Sequence, residues 1–328
     1  MSKKISVIIP CYNAEQFIDV GMQSIYEQDY PDVELIVVND GSTDGSEGKI
    51  LAWESRCLER GFLFKYFRQD NQGQAAATSF ALKHVTGDYL TLLDADDYFL
   101  PGSFRKRADY LDKYPDMAGV RTNGWAVRGE SKSLFVTSER EKECTDLFHA
   151  LFFEGANNWA GSYMVRTEIL FDFYSDRSIY LSRFGQNMQI ILPVAYKRMF
   201  GFINEPLMVY VIHENSHSQA DSADKQYEKD NHNFYGYLDI YQHMIQSIVQ
   251  EPEERAFYEN RLNSWLYRHE CQNAVRKQDI EALKRNFHAL LATEWATLND
   301  KITFYSVLNP VKAVMYKIIR RLKMRKEI

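Results

Sequence analysis

Apolar residues in the first third of the chain fall into short runs separated by polar, turn-forming clusters. Residues 5–9 (Ile-Ser-Val-Ile-Ile) have the length and β-branched content of a buried strand. Pro10 follows and should end that strand, because it has no N–H for a ladder. Phe17, Ile18, Met22 and Ile25 then recur at helical spacing and predict a helix over residues 14–28. A second buried strand is expected at 33–38, closed by the turn-rich stretch 39–45. A helix at 46–60, an alternating strand at 62–67, a helix at 74–85 and a strand at 89–93 complete the series.

Strand and helix alternating with short links predict parallel strands joined by right-handed crossovers. Such sheets bind ligands beyond the carboxyl ends of their strands. The polar clusters of this chain stand at those ends, after residues 9, 38, 67 and 93. Four strand ends therefore aim polar groups into one crevice. Residues 121–215 give mixed signals, whereas 223–300 read as helical, with long helices at 226–243 and 253–273. The expected organisation is an α/β domain over 1–220, a helical extension over 221–309 and a basic amphipathic tail over 310–328.

Composition narrows the function classes. With 328 residues, 45% hydrophobic and 26% charged, the chain is an ordinary globular protein. A net charge of −6 argues against nucleic acid as a partner. The four cysteines, Cys11, Cys57, Cys144 and Cys271, form no C-x-x-C pair, so neither a zinc site nor a disulfide framework is expected. The apolar run after Lys3 and Lys4 is too short for a secretory signal, and no run reaches ~18 apolar residues. A cytoplasmic protein is the expectation.

The sharpest chemical signal is Asp94-Ala95-Asp96, followed by Asp97. Residues i and i+2 of an extended backbone point the same way, so the two carboxylates would project together from a strand end. Like charges that close call for a cation, and Mg2+ or Mn2+ prefers oxygen ligands and bridges phosphates. After the first strand, Tyr12 can stack on a base, and Asn13 or Glu15 can bond base or ribose edges; Asn13 is equally good as a helix cap. After the second, Asp40 can accept from a base N–H or a ribose hydroxyl, with Asp44 reading as a structural cap. In Asn71-Gln72-Gly73, Gly73 either admits a ligand close to the backbone or starts a helix.

Together these elements resemble glycosyltransferase family 2, with the type A fold. The resemblance rests on residues 6–15 (SVIIPCYNAE), 34–44 (ELIVVNDGSTD), 71–73 (NQG) and 87–97 (GDYLTLLDADD). It implies a Rossmann-like, mostly parallel central sheet flanked by helices, with the helical C-terminal extension added. It implies a nucleotide-diphosphate sugar donor, UDP-linked, an inverting reaction and a saccharide or lipid-linked acceptor, as in cell-surface polysaccharide synthesis. It places Pro10, Tyr12, Glu15 and Asp40 around the nucleoside, and Asp94, Ala95 and Asp96 at ribose, diphosphate and metal, with Asp97 sharing that work. Residues 205–210, His213, Ser216 and Ser218 look like a later family segment whose histidine lies near the diphosphate or metal.

Two departures stand out. Thr78-Ser79 occupy a position where the family often has Arg-Asn. The family's acidic base usually lies in a Glu-Asp pair after a glycine, and the matching stretch here reads Gly185-Gln186-Asn187. Neither amide takes a proton near neutral pH. Another carboxylate could serve (Asp97, Asp172, Asp176 and Glu214 are candidates), or Gln186 and Asn187 could hold the acceptor while proximity does the rest. The alternative is a non-catalytic nucleotide-sugar binder. A nucleotidyltransferase ranks lower, because residues 10–15 contain no Gly, Lys or Arg for a phosphate loop. Trp125, Asn157, Asn158 and Trp159 are acceptor candidates.

In the tail, Val311, Val314, Met315, Ile318, Ile319 and Leu322 fall on one helical face among seven Lys and Arg residues between 310 and 328. That pattern suits peripheral contact with an anionic membrane, or a solvated helix packed on the body.

Overall fold

The computed structural model describes residues 2–213 and 223–324. Among the described residues nine strands form one sheet: β1 (Ile5–Cys11), β2 (Val33–Asp40), β3 (Leu63–Gln69), β4 (Tyr89–Leu92), β5 (Tyr98–Phe99), β6 (Met117–Arg128), β7 (Ser131–Leu134), β8 (Tyr163–Arg166) and β9 (Met199–Val211). The order is β3-β2-β1-β4-β8-β6-β9-β5, with β7 added on β6. The β3-β2-β1-β4 half is parallel, as the alternation of strand and helix predicts. Beyond β4 the sheet is mixed: β8 runs antiparallel to both β4 and β6, and β9 runs parallel to β6. The sheet is therefore wholly parallel only in the half that precedes Asp94, while the later half combines antiparallel pairs with the parallel pair β6–β9.

β1 and β2 are buried along their whole length because helices cover both faces of a parallel sheet. β1 does not stop at Pro10; it runs to Cys11, with Pro10 opposite Val38 and Cys11 opposite Asn39. The physical reason lies in the neighbouring strand. Lys4 and Ile8 accept from Tyr89 and Leu93, so even-numbered residues of β1 face β4. Pro10 would next donate there, but the β1–β4 pairing has ended at Ile8–Leu92. The missing N–H costs nothing at that position.

Helices differ from expectation at their ends. The first spans Ile18–Tyr26 and not 14–28; its N-cap is Phe17, so Asn13 does not cap it. The expected helix at 46–60 divides at Trp53 into Ser46–Ala52 and Glu54–Glu59. Gln74–Leu82 matches closely.

Two polar clusters brace the sheet. Fully buried Glu34 accepts from Ser6 Oγ, Lys65 Nζ at 2.6 Å, and Thr86 N and Oγ1 at 2.8 Å, tying β1, β2 and β3 together. Fully buried Arg107, on the helix Ser103–Lys113, donates to the carbonyls of Gly161 (3.0 Å) and Tyr163 (3.1 Å) and to Thr91 Oγ1. It satisfies backbone groups where the parallel half meets β8, and burial pulls its guanidinium down to about 9.

The chain divides into two compact units, Met1–Ile240 and Tyr241–Ile328. The second is helical, with Cys271, Ala274, Leu283, Phe287, Leu290 and Phe304 as its core. Its helix Leu298–Leu308 starts with a capping box between Thr297 and Asp300, and Asp300 also takes Arg268 at 2.8 and 2.9 Å.

Candidate active site

β4 delivers Asp94 to the end of the parallel half, where a turn closed by Asp97 N donating to Asp94 O (3.0 Å) gathers the acidic residues. Asp94 and Asp96 are each partly exposed, while Ala95 and Asp97 are buried. Asp94 Oδ1 is shut off from solvent and has no hydrogen-bond partner among the described residues. Burial, and then the charge of Asp96, pushes its carboxyl up to about 7. Asp97 Oδ1 accepts from the N–H of Val211 at 2.9 Å, pinning the end of β9 to the turn. Its Oδ2 is buried and likewise unpartnered among the described residues. Burial, then Asp94 and Asp96, holds Asp97 well above the usual carboxylate range.

Two buried carboxylate oxygens facing no donor are costly unless a cation or a proton completes them. Asp96 Oδ2 stands 4.0 Å from His213 Nε2, and the His213 ring lies on Phe17 with centroids 4.1 Å apart. Among the described residues no three His, Cys, Asp or Glu side chains form a ready ligand set. Asp94, Asp96 and His213 thus do not make a closed cage by themselves; the unpartnered, buried Asp94 Oδ1 is the atom whose chemistry fits a hard cation.

Tyrosines surround this cluster. Tyr163 is fully buried and donates from its hydroxyl to Asn187 Oδ1 at 3.0 Å; burial and the Asp94 charge hold it well above its ordinary value. Tyr210 is raised to about 12 by burial and by Asp97, Asp96 and Asp94, and stacks on Trp159 at 4.7 Å. Tyr237 is raised by burial and by Asp94. All three stay protonated near neutral pH. Gln186, first residue of the helix Gln186–Ala195, donates from Nε2 to Gln74 Oε1 at 2.9 Å. Both amides of the departing motif are thus hydrogen-bonded, and neither is a base.

The loop after β1 is a tight polar lattice. Asn13, in the left-handed region at φ 48°, accepts from Thr43 N at 2.8 Å. Glu15 accepts from Gly45 N at 2.9 Å. Asp44 takes Glu15 N and Ser46 N, so it is structural, but it is not the cap expected: the N-cap of the helix Ser46–Ala52 is Gly45. Tyr12 is 49% exposed, with a ring available for stacking. Asp40 is buried and accepts from Gln69 Nε2 (2.7 Å), Gln72 N (3.0 Å) and Gly73 N (2.8 Å). Its carboxylate holds residues 70–73 in place. Asn71 is exposed. Gly73 has φ 92° and is the N-cap of Gln74–Leu82, so it does start that helix. Asp176 accepts from Ser178, and Asp172 is exposed on the helix Thr167–Phe173. Glu214, Ser216 and Ser218 lie outside the described residues.

The structure brings Asp94, Asp96, Asp97, His213, Tyr163 and Asn187 into one electrostatic cluster. Phe17 joins the β1 loop to it through His213, and Gln186 joins the 70–74 segment to the helix carrying Asn187. A groove of about 530 Å3 along the helix Ile18–Tyr26, lined by Asp19, Gln23, Trp53 and Tyr98 among others, contains none of the expected site residues. Tyr163 and Tyr237 were not expected at the site. Tyr163 opens an apolar strand, and only its spatial position distinguishes it from a core residue.

Comparison with known proteins decides the family. The profile of glycosyl transferase family 2 matches residues 6–171. The chain belongs to this family. It is 33% identical over 107 residues to the putative teichuronic acid biosynthesis glycosyltransferase TuaG of Bacillus subtilis, covering 33% of this chain and 41% of that protein. The chain spans only 20 to 42% of the length of the first curated relatives it matches. Among solved structures, S. aureus TarS 1-349 in complex with UDP-GlcNAc superposes with a TM-score of 0.63 at 20% identity, over 95% of this chain and 89% of that one. The mannosyltransferase PcManGT of Pyrobaculum calidifontis, in complex with GDP-Man and Mn2+, gives 0.53 at 17% identity, over 99% of this chain and 84% of that one. These superpositions show a shared type A fold for this family 2 chain, including the helical region after residue 223.

Proposed function

We propose that the chain transfers a glycosyl group, with inversion, from a UDP-linked sugar to a saccharide or lipid-linked acceptor in cell-surface polysaccharide synthesis. The observation that carries this reading is the cluster at the end of β4, where buried oxygens of Asp94 and Asp97 meet no donor among the described residues. Family membership and the UDP-GlcNAc held by TarS support the donor class; the name of TuaG supports the acceptor class. The Mn2+ of PcManGT supports a divalent ion, Mg2+ or Mn2+, held here by Asp96, Asp94 and His213. Such an ion supplies charge neutralisation to a leaving diphosphate.

In this reading the donor site lies within residues 1–220. Tyr12 stacks on the base, and Pro10, Asn13, Glu15, Asp40, Asn71 and Gly73 shape the pocket around nucleoside and ribose. The acceptor hydroxyl attacks the anomeric carbon, the bond to the diphosphate oxygen breaks, and its electron pair leaves with the diphosphate. The acceptor proton passes to Asp97, a carboxylate where residues 186–187 offer only amides. Asn187, fixed by Tyr163, and Gln186, fixed by Gln74, position the acceptor.

The second reading, a nucleotide-sugar binder without turnover, is favoured by the same two hydrogen-bonded amides. Release of UDP from a panel of UDP-sugars, with and without saccharide and lipid-linked acceptors, separates them. Acceptor-dependent release that disappears in Asp97→Asn supports the transferase. Donor binding without release under every condition supports the binder.

A further inference from the structure

The helix Pro310–Met324 packs within its unit through one side only. Ala313 is buried. Tyr316 stacks on Tyr305, with ring centroids 5.7 Å apart and planes within 3°. Arg320 donates to Asn299 Oδ1 at 3.0 Å. At ~100° per residue these three positions share a face. The opposite face carries Val311, Val314, Met315 and Ile318, which are 81%, 55%, 47% and 52% exposed. Their spacing is i, i+3, i+4, i+7, a continuous stripe along two turns. Single exposed apolar residues are ordinary on a protein surface, but a stripe of this kind marks an interaction face.

Charge identifies the partner. Exposed Lys312 borders the stripe on one edge and exposed Lys317 on the other, and residues 310–324 include no Asp or Glu. The whole chain carries a net charge of −6, so this positive field is local. A second copy docked stripe to stripe would bring lysines against lysines. An anionic lipid surface matches both features: the apolar stripe enters the boundary of the acyl region, and the lysine stems reach up to phosphate. A helix of 15 residues is ~22 Å long and carries charge along its length, so it lies along the surface and does not cross it. No helix among the described residues is long and apolar enough to span a membrane.

We propose that the helix Pro310–Met324 anchors the protein on anionic membrane surfaces by inserting Val311, Val314, Met315 and Ile318 between flanking lysines. The proposal does not depend on the transferase reading, which is tested without lipid on soluble acceptors.

The test is co-sedimentation of the whole chain with vesicles of phosphatidylcholine alone or with one-third phosphatidylglycerol. Binding to the mixed vesicles, weakened by added salt as screening tightens, is expected. Lys312→Gln and Lys317→Gln should each lower the partition coefficient about fivefold. Val314→Ser with Ile318→Ser should reduce it to the phosphatidylcholine baseline. Both side chains are exposed, so an unchanged circular dichroism spectrum is expected. Equal sedimentation with and without phosphatidylglycerol overturns the proposal, as does unaltered binding of the double serine variant. So does an oligomer in solution that the double variant dissolves while vesicles bind nothing.

Discussion

Replacing Asp94 by Asn should stabilise the ligand-free protein while removing its response to donor. Asp94 is raised from 3.8 to about 7 by burial and by Asp96. A shift of about three pH units corresponds to roughly 4 kcal/mol of native-state cost for the charged form. The sign follows from proton counting. Between about pH 4 and pH 7 the folded state keeps a proton that the unfolded chain has lost, so this group's contribution falls as pH rises and the full cost is present above pH 7. Asn carries no charge and avoids that cost, but its amide N–H groups lack partners at a buried position, which takes back about 1–3 kcal/mol. A net gain of about 1–3 kcal/mol at pH 8 is expected, shrinking as pH falls and turning into a loss of about 1–3 kcal/mol near pH 4, where only the amide cost remains. Urea denaturation in the presence of EDTA measures it. A variant less stable than wild type by the same amount at pH 8 and pH 5 would refute the claim that an uncompensated charge occupies this site. So would full retention of the stabilisation that UDP and Mn2+ give the wild type.

Two further substitutions test the frame. Glu34→Ala should cost about 3 kcal/mol, because it strands Lys65, Ser6 and Thr86 around a buried hole. Burial raises the Glu34 carboxyl, but Lys65, Ser6 and Thr86 outweigh it and leave the group below its ordinary value. Its contribution is therefore present above the unfolded-state pKa of ~4.3 and lost as pH falls through the folded value; the gap between variant and wild type in urea should narrow in acid. Gly41→Ala should cost at least about 2 kcal/mol, since its φ is +74° and a Cβ would stand 2.8 Å from the backbone N of Asn71. A thermal midpoint equal to wild type would contradict the packing of β2 against residues 70–73.

The parallel half of the sheet was legible because its strands are short, largely apolar or alternating runs set off by turn-rich clusters, and the helix Ile18–Tyr26 keeps its apolar residues on one face. Pro10 misled for a reason that no local pattern contains: whether a missing N–H matters depends on the length of β4, the neighbouring strand. The mixed half was not legible. β5 is a two-residue strand, and the pairing of β6 with β9 brings Met117 beside Met199, far apart in sequence. At the site, the carboxylates were visible as a motif, whereas their electrostatic state was not, because burial is a tertiary property. Asp40 shows the limit of motif reading: its position after β2 was clear, but its three bonds to Gln69, Gln72 and Gly73 follow from a loop whose course the sequence does not reveal. Tyr163 gave no signal at all.

The most direct test of the acidic cluster as a donor site is isothermal calorimetry of UDP with Mn2+ on wild type and Asp96→Ala. Asp96 is partly exposed, so its removal should leave the fold intact. Saturable binding of UDP that needs the metal and is lost in Asp96→Ala is the expected result. Equal affinity in both proteins, or binding indifferent to EDTA, would contradict the assignment.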